Sequence, residues 1–216
     1  MNRIIHAAFL AASLLFAAPC FAADSYSVAE QRVFLDNHLA TVMPGAVLTY
    51  TVQENGNPDE TFSDEAVLMV KAGEEGKKAV SVQFLSGQRK LALPDLDDAT
   101  ANPVILYFLE KDVRDMHRQI GGQEAYFRKR IRLALADAAT VKPVTARYAG
   151  KSVPASEITI TPFADDPLKE RFGGQLHKRY TFVISERIPG GVYEITTETG
   201  DPAANQKASL TLKSAS

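Results

Sequence analysis

The chain has 216 residues, 24 Lys+Arg against 26 Asp+Glu, a formal net charge of -2, 45% hydrophobic and 23% charged residues, and one cysteine. That is room for a substantial core, and such a composition excludes intrinsic disorder, a collagen or coiled-coil rod and a disulfide scaffold as descriptions of the whole. The near-balanced charge gives no electrostatic case for nucleic acid as a partner.

Residues 1–22 read as a bacterial-type export signal. Arg3 supplies a positive end, an apolar run follows to Ala18, and Cys20-Phe21-Ala22 sets small residues at the minus-three and minus-one positions of a cut after Ala22. The run is too short to span about 30 Å of hydrocarbon. Pro19 before Cys20 argues against acylation of that thiol. Cleavage would remove the cysteine and Arg3, leaving 23 Lys+Arg against 26 Asp+Glu and no disulfide, thiolate nucleophile or cysteine metal ligand. The expectation is a periplasmic protein with one domain over 23–216, not integral to the membrane once the signal is gone.

Val28, Val33, Phe34, Leu35, Leu39 and Val42 predict a helix over 28–43, with a Ser27–Glu30 capping box and Pro44-Gly45 as its end. Leu48, Tyr50 and Val52 alternate with polar residues as a half-buried strand, and 55–58 is a turn. Ala66, Leu68 and Val70 mark a second strand, Val80, Val82 and Phe84 a third, and Leu91 and Leu93 a short fourth before an acidic loop over 95–101. The period then changes. Asn102-Pro103 is a helix start, and Ile105, Phe108, Leu109, Val113, Met116 and Ile120 share one helix face up to Gly121-Gly122. A second helix spans about 123–138, with Phe127, Ile131, Ala134, Leu135 and Ala138 as its stripe. Period two returns at Val144, Ala146 and Tyr148, at Ile158 and Ile160, and at Tyr180, Phe182 and Ile184. After the Pro189-Gly190-Gly191 turn come Tyr193 and Ile195, then Ala208, Leu210 and Leu212.

Strands with one apolar and one polar face belong to an antiparallel sheet wetted on one side, and that apolar face has to be covered. The fold class expected is α+β: a large curved antiparallel sheet, a half-open barrel, with an N-terminal helix and a central helix pair on its concave, apolar face. This order of elements across 28–212 resembles the LolA/LolB-like lipoprotein carriers of bacterial envelopes. The resemblance implies a helical lid over a cavity that holds acyl chains. It includes no matched residue motif, so it assigns no site residues.

Candidate sites are few. His38, His117 and His177 lie on different elements without a partner at ligand spacing, and read as surface or helix-end histidines. Asp95, Asp97 and Asp98 fit no EF-hand and read as a solvated loop; Asp165-Asp166 reads the same way, as Asp-Pro turn chemistry. There is no GxSxG, no P-loop and no GxGxxG, so the sequence supports neither an enzyme nor a cofactor. Arg128 and Arg132 share a helix face and could meet a lipid phosphate or a partner carboxylate; a solvated face balanced by Glu124 and Asp137 is the plainer reading. Leu106, Tyr107, Tyr126 and Leu133 widen the apolar surface of the helix pair beyond its main stripe.

Three functions follow. The first is a non-enzymatic periplasmic module holding an apolar or lipid-like ligand between sheet and helices, lined by Phe108, Leu109, Val113, Phe127 and Ile131. The second is an envelope protein–protein interaction module with no ligand cavity. The third is a hydrolase with an unrecognised site, which needs His117 or His177 within reach of a Ser or carboxylate.

Overall fold

Alternating apolar residues pair into eight strands: β1 (Val47–Asn55), β2 (Phe62–Ala72), β3 (Lys78–Phe84), β4 (Thr140–Tyr148), β5 (Lys151–Ile160), β6 (Arg179–Ile184), β7 (Val192–Glu198) and β8 (Lys207–Ala215). The computed structural model describes residues 26–56, 61–200 and 206–216. The signal segment 1–22 and half of the turn at 55–58 lie outside the described residues. All neighbouring strands are antiparallel, in the order β3-β2-β1-β8-β7-β6-β5-β4, and the curved sheet does not close.

Register lines up the apolar residues across the sheet. Val52 pairs with Leu210, Leu210 with Ile195, Ile195 with Phe182, and Phe182 with Ile158. All five are fully buried. A one-residue slip anywhere in this row would turn a whole strand's apolar set to water.

The order of strands decides where the helices go. β3 and β4 are the two opposite edges of the sheet, so the chain between them has to travel from edge to edge. It does so through α2 (Val104–Ile120) and α3 (Glu124–Asp137), which cover the apolar face on the way. Val104, Ile105, Phe108 and Met116 of α2 and Phe127 and Leu135 of α3 are buried. Gly121, with φ +70°, ends α2 and reverses the chain.

Two elements differ from expectation. The N-terminal helix stops well before Pro44: one α turn, α1 (Val28–Glu30), runs into a π turn over Gln31–Leu35. Asp36 then goes extended and its carboxylate accepts from Gln31 Nε2 (3.0 Å) and an Arg32 guanidinium nitrogen (3.1 Å). The Ser27–Glu30 capping box is present. Leu39 and Val42 are buried as the pattern requires, but in a turn rather than a helix. The fourth strand around Leu91 and Leu93 is also absent. Only single bridges, Phe84 to Leu91 and Val80 to Leu96, tie this segment to the edge of β3. The Tyr107 hydroxyl takes both the N–H (3.3 Å) and the C=O (3.1 Å) of Leu93, and Pro94 has no N–H to offer a ladder.

A buried polar knot pins the start of the crossing. Asn102 is 1% exposed. Its Nδ2 donates to the Tyr50 hydroxyl and to the Gly190 carbonyl, both at 2.8 Å, and its Oδ1 accepts from the Val104 N–H at 3.1 Å. Its backbone N–H donates to His38 Nδ1 at 3.1 Å, which leaves His38 Nε2–H to donate to the Arg32 carbonyl at 2.8 Å. The expected Asn cap is therefore real, and it also joins β1, the β6–β7 turn and the N-terminal segment. Gly190 and Gly191 are required here: both have positive φ, and a Cβ would meet Leu48 at 2.4 Å or His38 at 2.8 Å.

Asn102→Ala orphans buried partners on three elements and is expected to cost about 3 kcal/mol, read from the urea midpoint at constant m-value. Burial holds the His38 ring below its usual range, opposed by its bond to the Arg32 carbonyl. The stability it contributes is complete above the unfolded-state value of 6.5 and is lost as pH falls through the window below it. The urea midpoint is expected to fall between pH 7.5 and 5.5, and His38→Gln to flatten that slope. An unchanged slope would contradict this account of the knot.

Candidate functional site

The residues expected to line a cleft divide into two groups. Phe108 is core, 1% exposed, and Phe127, 3% exposed, lines a separate hollow of about 350 Å³ with Ile120, Tyr126, Leu168 and Phe172. Phe127 sits edge-on to Phe163 (centroids 6.0 Å apart) and Phe172 (6.1 Å), and Phe163 stacks on Phe172 at 4.8 Å and meets Tyr180 at 6.4 Å. Phe163 and Phe172 come from the long β5–β6 connection, which folds back to pack this space with aromatic rings.

Leu109, Val113 and Ile131 lie elsewhere. With Phe34, Leu93 and Leu106 they line a groove of about 260 Å³ along the two helices, which Glu110, Arg128 and Arg132 also border. Leu106 is 49% exposed, so apolar surface here faces water. The groove thus gathers three of the five expected apolar residues and both expected arginines.

The two arginines differ electrostatically. Arg128 forks onto Glu110 (2.9 and 2.8 Å) and also reaches Glu124 (2.6 Å). Glu110 additionally accepts from Arg114 Nε at 3.0 Å, as the i,i+4 spacing implies. Burial would raise the Glu110 carboxyl, but the bonds from Arg128 and Arg114 outweigh it and hold the group below the usual carboxylate range. The bond to Glu110 likewise raises Arg128. Arg128 is thereby committed to its neighbours, the plainer of its two readings. Arg132 is exposed and has no ion-pair partner among the described residues.

Three buried or half-buried charged clusters on α2 and α3 were not among the sites expected from the sequence. Asp112 of α2 accepts from Lys178 Nζ (2.5 Å) and the Tyr180 hydroxyl (2.6 Å), tying helix to sheet at β6. Burial, then the Asp112 charge, pushes the Tyr180 hydroxyl well above its ordinary value, so it stays a donor. Lys111 pairs with Glu54 and Asp115; burial would lower it, and the two carboxylates keep it raised and charged. Asp166 corrects an expectation. It is not a solvated turn residue: its fully buried carboxylate accepts from Tyr126 (2.8 Å), Arg130 Nε (2.9 Å) and the Leu168 N–H (2.8 Å). A signal existed for Asp112, which lies three and four residues after Leu109 and Phe108, on the apolar stripe itself.

Of the histidines only His38 departs from expectation. His38 is buried in the knot described above, not on the surface. His117 is exposed with Nδ1 2.7 Å from the Gly122 carbonyl, and His177 is exposed beside Gly200. Neither meets a Ser or a carboxylate among the described residues. Asp95, Asp97 and Asp98 are solvent-exposed, Asp98 pairing with Lys77 at 3.0 Å. Among the described residues no cluster of His, Cys, Asp or Glu could hold a metal ion.

No protein-family model matches the chain, and no curated protein sequence matches it. Among solved structures it is similar to the lipoprotein LppX of Mycobacterium tuberculosis: TM-score 0.35, 13% identity, 77% of this chain and 84% of that one. It is also similar to MucB in complex with MucA(peri), at TM-score 0.36 and 13% identity over 88% of this chain and 55% of that one. The MucA/MucB complex of Pseudomonas aeruginosa matches at TM-score 0.36 and 14% identity over 88% and 57%. The chain thus spans little more than half the length of those last two. The unclosed antiparallel sheet with an N-terminal helix and a helix pair is the α+β fold class expected from the sequence. Among the described residues no helix is long and apolar enough to cross a membrane.

Breaking the Asp112–Lys178 pair tests whether the helix cover is locked to the sheet. Lys178→Met leaves a buried carboxylate without its cation and is expected to cost about 3–5 kcal/mol. The double variant with Asp112→Asn is expected to recover part of that loss in chemical denaturation. A double-variant loss equal to the sum of the Lys178→Met and Asp112→Asn losses would show that the pair is not coupled.

Proposed function

We propose that this chain is an exported, non-enzymatic binding module of the bacterial envelope that holds an apolar, lipid-like chain in the groove along α2 and α3. The observation that carries the reading is the groove itself: leucines, Val113, Ile131 and Phe34 gathered around a solvent-open hollow, with an exposed Leu106 in its wall. Water-facing apolar surface of this kind is costly to keep unless something covers it. Its volume, about 260 Å³, falls just under the roughly 300–1,000 Å³ of small-molecule pockets. It therefore suits a single acyl chain or one apolar anchor rather than a whole lipid. Arg132, at the edge and without an ion-pair partner among the described residues, suits a ligand whose polar end is anionic.

The aromatic filling around Phe127 favours a second reading, an interaction module whose groove receives an apolar side chain of an envelope protein. The periplasmic setting rests on the signal-like residues 1–22.

Mass spectrometry of lipids extracted from protein purified from native envelopes tests the first reading. A bound acyl species in near-stoichiometric amount is expected. The fluorescence of 1-N-phenylnaphthylamine should rise on binding and fall when palmitate displaces it. Leu106→Glu, on an exposed position, should weaken probe binding at least tenfold with an unchanged melting temperature. A lipid-free extract together with probe binding indifferent to Leu106→Glu would overturn the reading.

A further inference from the structure

A second cavity lies around the next turns of α2, and its chemistry is the opposite of the groove's. It has a volume of about 460 Å³ and is lined by Arg89, Lys90, Lys111, Arg114 and Arg118 against two carboxylates, Glu54 and Asp115. The whole chain is net negative, at -2, so this concave concentration of cations runs against the sign of the molecule. A concave wall with an excess of one sign, here five cations against two carboxylates, raises the local concentration of counter-ions.

The cations are held in place from behind. Glu110 takes Arg114 through Nε, and the two Nη groups of Arg114 have no partner among the described residues. Asp115 holds Lys111 at 2.5 Å and Arg118 at 3.1 Å. Arg89 lies 3.5 Å from Asp64 and its guanidinium stands 4.7 Å from the centre of the Phe62 ring; Lys111 approaches the same ring at 5.4 Å. Lys90 is exposed and has no partner among the described residues. The anchored donors Arg89, Lys111, Arg114 and Arg118 lose little freedom on meeting an anion.

We propose that this cavity is a binding site for a multiply charged oxyanion of the phosphate class. A single carboxylate would offer nothing that Glu54 and Asp115 do not already supply. A phosphate ester or diphosphate brings more charge and more acceptor oxygens, matching guanidinium forks beside ammonium groups. The site does not depend on the apolar groove, although the Glu110–Arg114 pair stands between the two.

The test uses the whole mature chain. Inorganic pyrophosphate is titrated calorimetrically, and co-sedimentation is measured with phosphatidylglycerol and with phosphatidylcholine vesicles. Pyrophosphate binding that weakens with salt supports a soluble phosphate ligand. Binding to phosphatidylglycerol but not phosphatidylcholine, without pyrophosphate binding, supports a lipid headgroup as the source of the phosphate. In either case Lys90→Glu and Arg114→Gln, both on exposed positions, should each weaken binding at least tenfold. Lys151→Glu, exposed on β5, and the groove variant Leu106→Glu should leave it unchanged. Absence of both activities, or losses no larger than that of Lys151→Glu, would overturn the proposal.

Discussion

The structure depends on one topological constraint: the strands on either side of the helical insert occupy the two opposite edges of the sheet. A chain that ends β3 at one edge and begins β4 at the other has to cross the sheet, and it crosses over the face that needs covering. The two halves are joined through a single seam, β1 against β8, which pairs residues as far apart in sequence as Tyr50 and Leu212. Every other neighbouring pair is consecutive in the chain. Hydrophobic burial of about 1.5–3 kcal/mol per large side chain then holds helix to sheet. None of that energy specifies position, because apolar contact is non-directional.

Position comes from buried polar groups. Asn102 ties the start of α2 to β1 and to the β6–β7 turn, Asp112 ties its middle to Lys178 and Tyr180, and Asp166 ties α3 to the β5–β6 connection through Tyr126 and Arg130. Such groups are costly when left unpaired, so a shifted helix would lose far more than packing. The cover is accordingly locked at three points. That rigidity is why a ligand site is better placed in the groove outside the helices than in the packed space beneath them.

Much of this was legible in the sequence, for stated reasons. Period-two alternation located every strand of the sheet, because a half-wetted sheet leaves that pattern in nearly every strand. The Asn102-Pro103 start and the Gly121-Gly122 stop bounded α2 closely. The early end of α1 was not legible, since Leu39 and Val42 keep helical spacing while buried through a turn that Asp36 and His38 organise. The segment at 91–96 looked like a strand because Leu91 and Leu93 alternate; its backbone is claimed by the Tyr107 hydroxyl, fourteen residues away in the chain. Of the site, the apolar stripe and both arginines were visible, but which of them face a groove depends on how α2 and α3 pack. Asp166 was misjudged because Asp-Pro in a loop is ordinarily solvated, and its three donors come from two elements that no local pattern connects.

The central claim is that the helix pair is a fixed cover whose outer surface, not its underside, is available for binding. Native-state hydrogen exchange on α2 addresses it directly. The account predicts that amides from Ile105 to Met116 exchange only through global unfolding, with protection equal to that of the β1–β8 seam. Exchange of those amides through a separate, lower-energy opening, while the seam stays protected, would show a mobile lid over an interior site and contradict the account.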